Sequence, residues 1–356
     1  MVLQEDANDS LPPEVGDELD RASVPRDAVG AMVQEVGAAR PLLTWQVDKP
    51  VNPASMMKLF TTYASLELLG LAWTWSTPVW LHGAVRDGVL EGNLVIKGTG
   101  DPKLVIERMW LLLRRVQQLG VREIRGDIVL DRASFAEPPR SPADFDGESL
   151  RPYNVLPDAL MLDFKSVALT FSPNAARGIA VISADPPSPA LPEVVRDINK
   201  FSNNVMAQQL FLTLGLTHRG SGSPEAAREV LRHWATERFG AAAHGMVIDN
   251  GSGLSRDTRV SALLLTRLLL SAQAGPVMAE LTDLLSVSGI DGTLKDSHLP
   301  PGRAHLKTGT LRDVSGMAWL RARRLGTALC RRGHRQPRQR ERRAPCFRGA
   351  SPVDSR

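Results

Sequence analysis

The sequence predicts a mixed α/β (α+β) protein, and three observations lead to this class. Strand-like alternation and helix-like periodicity both occur within the first 70 residues. A β-rich pattern then extends from about residue 72 to residue 185, and three helical patterns follow it. The 356 residues, of which 43% are apolar and 23% are charged, suffice for two or three packed domains.

The elements are predicted in the following order along the chain. Two strands at Val29–Val36 and Leu42–Val47 precede a helix at Ser55–Leu69, which ends at Gly70, a good C-cap residue. The β-rich part is expected to hold a hairpin, a helix and two more strands: Val79–Val85 with Val89–Ile96, Leu104–Leu119, Ile124–Leu130 and Ala168–Phe171. A proline-dense junction at Asp185–Pro192 is followed by helical patterns at Val194–Leu214, Glu225–Phe239 and Ser261–Ala274.

Charge is distributed unevenly along the chain. The segment Ala318–Arg356 contains 12 Arg, no Lys and two acidic residues, whereas Met1–Met317 has a net charge of −6. Both cysteines also lie in this Arg-rich tail, so the rest of the chain has neither a disulfide framework nor a cysteine metal site. The absence of lysine argues against a selected basic tail or a nucleic-acid arm. We therefore hypothesise that a frameshift near residue 317 produced the tail.

The sequence predicts no membrane-spanning segment and shows no export signal. The longest apolar runs, near Met109–Leu113 and Leu263–Leu270, are interrupted well before the roughly 20 residues that a membrane span needs. The acidic segment Met1–Asp20 is the opposite of a basic, then apolar, signal peptide. An exported form is expected to start upstream.

The first chemically suggestive motif is Ser55-Met56-Met57-Lys58, at the start of a predicted helix. Residues three apart share a helix face, so the Lys58 amine can lie beside the Ser55 hydroxyl. A serine hydroxyl becomes a good nucleophile only when a neighbouring base takes its proton. A lysine can be that base if burial or other cations lower its pKa. Alone, the motif is equally explained by a surface serine that caps a helix.

Two further motifs follow in the chain. Ser202-Asn203-Asn204 opens a helix, where Ser202 can relay protons and Asn204 can bind a substrate amide or hold Lys58; an ordinary helix cap is the alternative. Lys307-Thr308-Gly309-Thr310 lies in a predicted strand, where Lys307 and Thr308 can bind a carboxylate and Gly309 permits close approach of substrate. The amide N–H groups of Thr310 and Ser55 suit an oxyanion hole.

In this order, the three motifs resemble the signature of penicillin-binding proteins and serine β-lactamases. Further segments resemble the class C low-molecular-mass penicillin-binding proteins, a D-alanyl-D-alanine carboxypeptidase/endopeptidase family: Pro53–Leu59, Lys97–Pro102, Tyr153–Pro157, Asn199–Gln208, Asp249–Ser255 and Asp291–Thr293. The resemblance extends from about Leu11 to Met317. The 143 residues between Lys58 and Ser202 disfavour class A and class C β-lactamases, which have a shorter interval there.

The resemblance implies a transpeptidase/β-lactamase-like domain, in which helices flank an antiparallel sheet, at residues 11–71 and 193–317. A β-rich inserted domain at residues 72–192 interrupts it and is shorter than is usual in the family. Two more core strands are implied after the Lys-Thr-Gly strand. Because the Arg-rich tail, residues 318–356, stands in their place, we expect those strands to be missing and one edge of the sheet to be exposed.

The resemblance implies a serine-type D-Ala-D-Ala carboxypeptidase/endopeptidase that acts on peptidoglycan stem peptides in the periplasm. β-Lactams would inhibit it by forming a stable acyl-enzyme. Catalysis is assigned by the resemblance to Ser55, Lys58, Ser202 and Asn204, and substrate binding to Lys307, Thr308, Gly309 and Thr310. No cofactor, metal or nucleic-acid partner is expected. The alternative is a truncated, non-catalytic remnant that retains at most peptidoglycan binding.

Other enzyme classes fit the sequence less well. A Ser-His-Asp hydrolase would need a Gly-x-Ser-x-Gly pentapeptide, and the chain has none. The seven histidines include no pair at metal-ligand spacing, which disfavours zinc catalysis. Lys97-Gly-Thr-Gly-Asp101 lacks the third glycine of a dinucleotide-binding loop, and a turn explains it better.

Overall fold

A computed structural model describes residues 10–136, 138–165, 170–174, 179–183, 191–275, 278–321 and 324–331. The chain divides into two units, of which the first comprises residues 1–68, 195–203 and 228–356. The second comprises residues 69–194 and 204–227. Within the described residues, no helix has both the length and the apolar character that crossing a bilayer requires.

Helices occur where the periodicity predicts them, with shifted ends. The described residues form α1 Pro13–Arg21, α2 Met57–Leu68, α3 Ile106–Gln118, α4 Leu191–Lys200, α5 Asn204–Arg219, α6 Pro224–Phe239, α7 Ala262–Ala274 and α8 Met278–Asp283. The helix predicted at Val194–Leu214 is in fact two helices, α4 and α5, separated by three residues. Of the predicted junction at Asp185–Pro192, residues 185–190 lie outside the described residues, and Leu191 and Pro192 open α4.

The first unit contains an antiparallel sheet, as the resemblance implies. Its strands are β1 Val29–Glu35, β2 Leu43–Trp45, β9 Ser286–Val287, β10 His305–Leu311, β11 Val314–Arg321 and β12 Arg324–Arg331. The order across the sheet is β2-β1-β12-β11-β10-β9, and every neighbouring pair is antiparallel. Helix α7 packs on β1 and β12, and α2 is buried along most of its length.

The expected loss of the two strands after the Lys-Thr-Gly strand is wrong. Those strands are β11 and β12, and β12 occupies the middle of the sheet, paired with both β1 and β11. Residues 318–321 and 324–331 of the Arg-rich tail therefore belong to the sheet, while residues 332–356 lie outside the described part. The composition misled the prediction because a strand ladder is made by backbone groups, which an Arg-rich segment also possesses.

Two positions show how β12 fits into the interior of the sheet. The Thr327 hydroxyl is fully buried and donates to the Ala262 carbonyl at 3.0 Å, which ties β12 to α7. At Gly326 an added Cβ would lie 2.5 Å from the ring of Trp319 on β11, so a small residue is needed there.

The frameshift hypothesis concerns the DNA and stays a prediction, which sequencing of the coding DNA checks.

The second unit is built on a sheet around a hairpin. Strands β3 Val79–Arg86 and β4 Val89–Lys97 form the predicted hairpin, and β5 Glu123–Ile124 and β6 Ile128–Asp131 both run parallel to β4. The single strand predicted at Ile124–Leu130 is thus two short strands. Helix α3 covers the sheet, and Leu90, Leu94 and Val116 are part of the buried cluster between them. Strands β7 Thr170–Asn174 and β8 Ile179–Ser183 form a separate pair.

Candidate active site

Ser55 lies in a tight turn immediately before α2. The residues Ala54–Met56 form a turn of 3-10 helix, so the helix predicted from Ser55 becomes α-helical only at Met57. Asn52 holds this turn, because its Oδ1 accepts the N–H of Ala54 at 2.8 Å and its Nδ2 donates to the Ser255 carbonyl at 2.8 Å. Ala54 has a φ of 47°, a conformation that residues other than glycine rarely adopt. The Ser55 side chain is left partly exposed at the start of the helix.

Lys58 lies one turn further along, beside Ser55, as the spacing predicts. Its Nζ donates to Ser55 Oγ at 2.9 Å and to the Ser252 carbonyl at 2.7 Å, and its side chain is fully buried. Burial, and secondarily the positive charge of Lys307, holds the pKa of Lys58 well below its usual value of 10.5. This environment favours the neutral amine, which can accept a proton from the serine.

The loop at residues 249–255 supplies the second hydrogen-bond partner of Lys58, a role that its sequence pattern does not indicate. The Asn250 side chain folds the loop, since its Oδ1 accepts the backbone N–H groups of Ser252 at 3.1 Å and Gly253 at 3.0 Å. Gly253 has a φ of 75°, and an added Cβ would overlap the Ala54 carbonyl oxygen. The run of Asn and Gly indicates a tight turn. The sequence of the loop does not indicate that the turn contacts the amine of Lys58.

Ser202 lies in the break between α4 and α5. Its φ of 57° explains why the predicted helix is interrupted there, since a left-handed residue cannot continue a right-handed helix. The hydroxyl of Ser202 accepts a hydrogen bond from Lys307 Nζ at 3.0 Å. Asn199, at the end of α4, is fully buried and donates from Nδ2 to Thr62 Oγ1 of α2 at 3.3 Å. This contact ties the Ser202 turn to the helix that carries Lys58.

Lys307 is the second buried lysine of the first unit. It lies on β10, is fully buried, and donates from Nζ to Ser202 Oγ and to the Thr308 carbonyl, the latter at 2.8 Å. Burial lowers the pKa of Lys307 from 10.5 to about 7. Near neutral pH both the charged and the neutral form of this lysine are therefore populated.

The edge of β10 next to Ser55 is open in the described structure. β9 pairs with β10 only at His305 and Leu306, so it does not cover the edge from Lys307 onward. At Gly309, an added Cβ would lie 2.6 Å from the Pro53 carbonyl oxygen and 3.0 Å from the Ser55 nitrogen. The strand thus comes very close to the Ser55 turn, and only glycine permits that approach. Thr308 is partly exposed and Thr310 is exposed on either side of it.

The structure therefore brings four of the predicted residues together in the first unit: Ser55 with Lys58, and Ser202 with Lys307. Gly309 lies against the Ser55 turn. Asn204 is the first residue of α5 and belongs to the second unit. It is buried, and its Nδ2 donates to the Tyr153 carbonyl of the same unit at 3.1 Å.

The free energy of unfolding is expected to rise with pH between about 7 and 10.5 because of Lys307. In this window the unfolded chain binds a proton at Lys307 that the folded chain does not, so raising the pH favours the folded state. Urea unfolding of the wild type at several pH values measures the slope, and Lys307→Met should reduce it. The exposed Lys295 provides the control: Lys295→Met should keep the wild-type slope. An unchanged slope in Lys307→Met would contradict the prediction.

The chain is similar to a family of known proteins along most of its length. The model of the D-Ala-D-Ala carboxypeptidase 3 (S13) family matches residues 14–190 and 179–345. A D-alanyl-D-alanine carboxypeptidase, DacB, of Haemophilus influenzae is 35% identical over 83 residues, which are 23% of this chain and 17% of that protein. A D-alanyl-D-alanine carboxypeptidase of Actinomadura sp. (strain R39) is 24% identical over an alignment of 400 positions, which covers 81% of this chain and 74% of that protein.

A comparison with solved structures shows the same fold. The crystal structure of penicillin binding protein 4 (dacB) from Haemophilus influenzae matches with a TM-score of 0.76 at 18% sequence identity. The match covers 93% of this chain and 96% of that chain. The predicted fold class, with helices flanking an antiparallel sheet, is confirmed by this match.

Proposed function

Because the chain belongs to the D-Ala-D-Ala carboxypeptidase 3 (S13) family, we propose that it hydrolyses the bond between two D-alanines through an acyl-enzyme on Ser55. The observation that carries this proposal is the pair of buried lysines in the first unit, each of which is hydrogen-bonded to a serine hydroxyl. One pair supplies a nucleophile and its base, and the other supplies a positive charge and a proton relay.

The first chemical step is attack by Ser55 Oγ on the carbonyl of the penultimate D-alanine. Lys58 Nζ, 2.9 Å from Ser55 Oγ and shifted toward its neutral form, takes the hydroxyl proton. The Ser252 carbonyl, 2.7 Å from Lys58 Nζ, orients the amine and stabilises the ammonium that forms. The oxyanion is bound by the backbone N–H groups of Ser55 and Thr310, on the turn and the open strand edge that meet at Gly309.

Substrate binding couples the two lysines. The terminal carboxylate of the substrate binds at Lys307 and Thr308, and its negative charge favours protonated Lys307. Because burial lowers the pKa of Lys307 to about 7, a neighbouring carboxylate is enough to charge it at neutral pH. The resulting positive charge further lowers the pKa of Lys58 and keeps it a base. The substrate carboxylate thus helps to prepare the nucleophile that attacks it.

Expulsion of D-alanine requires a proton on its amine nitrogen. We assign Ser202 to give its hydroxyl proton to this nitrogen and to take a proton in turn from Lys307 Nζ, to which it is hydrogen-bonded. The proton that Lys58 took from Ser55 then replaces the one lost by Lys307, so that Lys58 is neutral again. We assign Asn204 to orient the substrate amide, as the family resemblance implies for this position. Water then hydrolyses the ester on Ser55, with Lys58 again the base, and a β-lactam is held at this stage because its leaving group stays attached.

The family implies peptidoglycan stem peptides as the substrate class, and we assign part of such a peptide to a cavity at the far end of β10. Its volume is about 360 Å³, and it contains none of the eight predicted site residues. The lining includes three basic and two acidic side chains beside apolar ones: Lys49, Arg256, Arg259, Asp27 and Asp313, with Val51, Leu311 and Val314. Charged groups in the lining bind a charged peptide side chain better than they bind an apolar side chain. The proposed substrate is located outside the cytoplasmic membrane, so we place the protein in the periplasm.

The proposal is tested by mass spectrometry after incubation of the purified chain with benzylpenicillin. We expect an increase equal to one penicillin, located by peptide mapping on the peptide that contains Ser55, and release of D-alanine from a diacetyl-Lys-D-Ala-D-Ala peptide. Heat-denatured protein is the control and should not react. The competing hypothesis of a non-catalytic remnant rested on missing strands, which β11 and β12 supply. A folded chain with neither adduct nor D-alanine release would nevertheless support it.

A further inference from the structure

The turn at residues 291–294 is fixed against two parts of the site. The Asp291 carboxylate forms an ion pair with Lys200, two residues before Ser202, and its Oδ1 accepts the Val287 N–H at 2.8 Å. Gly292 has a φ of 56°, and an added Cβ would lie 2.5 Å from the Lys200 carbonyl oxygen. Only glycine fits there, so the turn holds the next residue, Thr293, in a defined place beside β10.

The Thr293 hydroxyl is exposed and lies beside a residue of the Lys-Thr-Gly strand. Its Oγ1 is 3.4 Å from Thr308 Oγ1 and 3.4 Å from Ser286 Oγ. Hydroxyl hydrogen bonds are usually about 2.7–2.8 Å long, so both contacts are weak. Ser286 instead donates to the Lys200 carbonyl at 2.9 Å and is buried. The protons of Thr293 and Thr308 can therefore turn toward a ligand at little cost.

We propose that Thr293 is a second hydroxyl contact for the substrate carboxylate next to the scissile bond. Thr308 donates to one carboxylate oxygen, Thr293 to the other, and Lys307 supplies the charge. A carboxylate has two oxygens that each accept hydrogen bonds, which a pair of adjacent hydroxyls can satisfy together. The inference rests on the proposed function, because it assigns a specificity residue to the same site. Thr293 makes the enzyme selective for acyl donors whose leaving group carries a carboxylate.

The test uses two thioester acyl donors that differ only in the leaving group, one ending in a carboxylate and the other in the corresponding primary amide. Thioesters are reactive enough for the amide form to be measured without carboxylate binding. Thr293→Val removes the hydroxyl and keeps the shape. A hydrogen bond to a charged group contributes about 1.5–3 kcal/mol, so kcat/KM for the carboxylate donor should fall about 10–100-fold. The amide donor should change less than about twofold.

Two further variants separate binding from structure. Thr293→Ser retains the hydroxyl and should retain most of the activity on the carboxylate donor. Ser297→Ala removes a hydroxyl from the same part of the chain, one that has no hydrogen-bond partner among the described residues, and should behave as the wild type. The thermal unfolding midpoint of each variant checks that the turn is intact.

The outcomes distinguish this inference from the proposed function. An equal loss on both donors in Thr293→Val would show a structural role and overturn the inference, as would no loss on either. In both cases a wild type that forms an acyl-enzyme would leave the proposed function standing. A wild type that turns over neither donor and forms no penicillin adduct would overturn the proposed function and, with it, this inference.

Discussion

Replacement of Lys58 by methionine is expected to reduce the second-order rate constant for acylation by benzylpenicillin about 10²–10⁴-fold, the usual contribution of a general base. Lys58 Nζ is hydrogen-bonded to the Ser55 hydroxyl. A methionine side chain has a similar length but no basic atom. The fold should survive, because the change removes a fully buried amine whose charged form is disfavoured by burial. Stopped-flow measurement with a fluorescent penicillin, together with the thermal unfolding midpoint, checks both statements.

Lys58→Arg separates the basicity of this residue from its charge. Arginine remains protonated in proteins, so it cannot take a proton from Ser55, although it retains a positive charge and several donors. We expect the arginine variant to be as slow as the methionine variant, and Ser55→Ala to define the background. Acylation of Lys58→Arg at a rate near that of the wild type would show that the residue acts by charge alone, and the proposed role of Lys58 would be wrong.

Gly253→Ala is expected to destabilise the protein by about 2–5 kcal/mol and to slow acylation. Gly253 has a φ of 75°, which costs a residue with a Cβ about 1–2 kcal/mol. The added Cβ would also overlap the Ala54 carbonyl oxygen and lie 2.9 Å from Met57 Cβ, so the loop or the Ser55 turn must move. Either movement changes the distance between the Ser252 carbonyl and Lys58. Urea unfolding and the acylation rate measure the two effects.

Gly245→Ala is a matched control for this substitution. Gly245 has a φ of 80°, close to that of Gly253, but the nearest atom to an added Cβ is Pro50 Cγ at an unstrained 3.8 Å. Backbone strain alone should therefore lower the free energy of unfolding of Gly245→Ala, by about 1–2 kcal/mol, and the variant should be acylated at the normal rate. Equal destabilisation by the two substitutions would mean that the contact between Gly253 and the Ser55 turn does not contribute.

Much of the local structure could be predicted from the sequence because it depends on near neighbours. The hairpin β3–β4, helices α3, α6 and α7, and the strand that carries Lys307 appear within a few residues of their predicted positions. The contact of Lys58 with Ser55 follows from the three-residue spacing. The helical periodicity at Val194–Leu214 continues through Ser202, whereas the Ser202–Asn204 motif predicts that a helix opens there. The structure confirms the second prediction: Ser202 has a left-handed backbone and α5 begins at Asn204, so the contacts of this turn overrode the local periodicity.

The path of the chain beyond residue 317 shows the opposite case. Its arginine content led to the prediction that the two core strands after the Lys-Thr-Gly strand are missing, whereas residues 324–331 form β12 in the middle of the sheet. Strand pairing depends on backbone groups and on the space between β1 and β11, and neither is visible in composition. The buried fit of Gly326 against Trp319 and of Thr327 against α7 exists only once the sheet is assembled.

The sequence by itself determined the inventory of chemistry: a serine with a lysine one turn away, a second serine, a Lys-Thr-Gly strand, and thereby the family. Only the tertiary structure decided how these groups behave. It places Ser252, 194 residues away in the sequence, against Lys58, and Lys307 against Ser202. It also buries both lysines, and burial is what lowers their pKa values. The physical reason is that the free energy of a charge depends on the solvent and charges around it, which residues distant in the sequence supply.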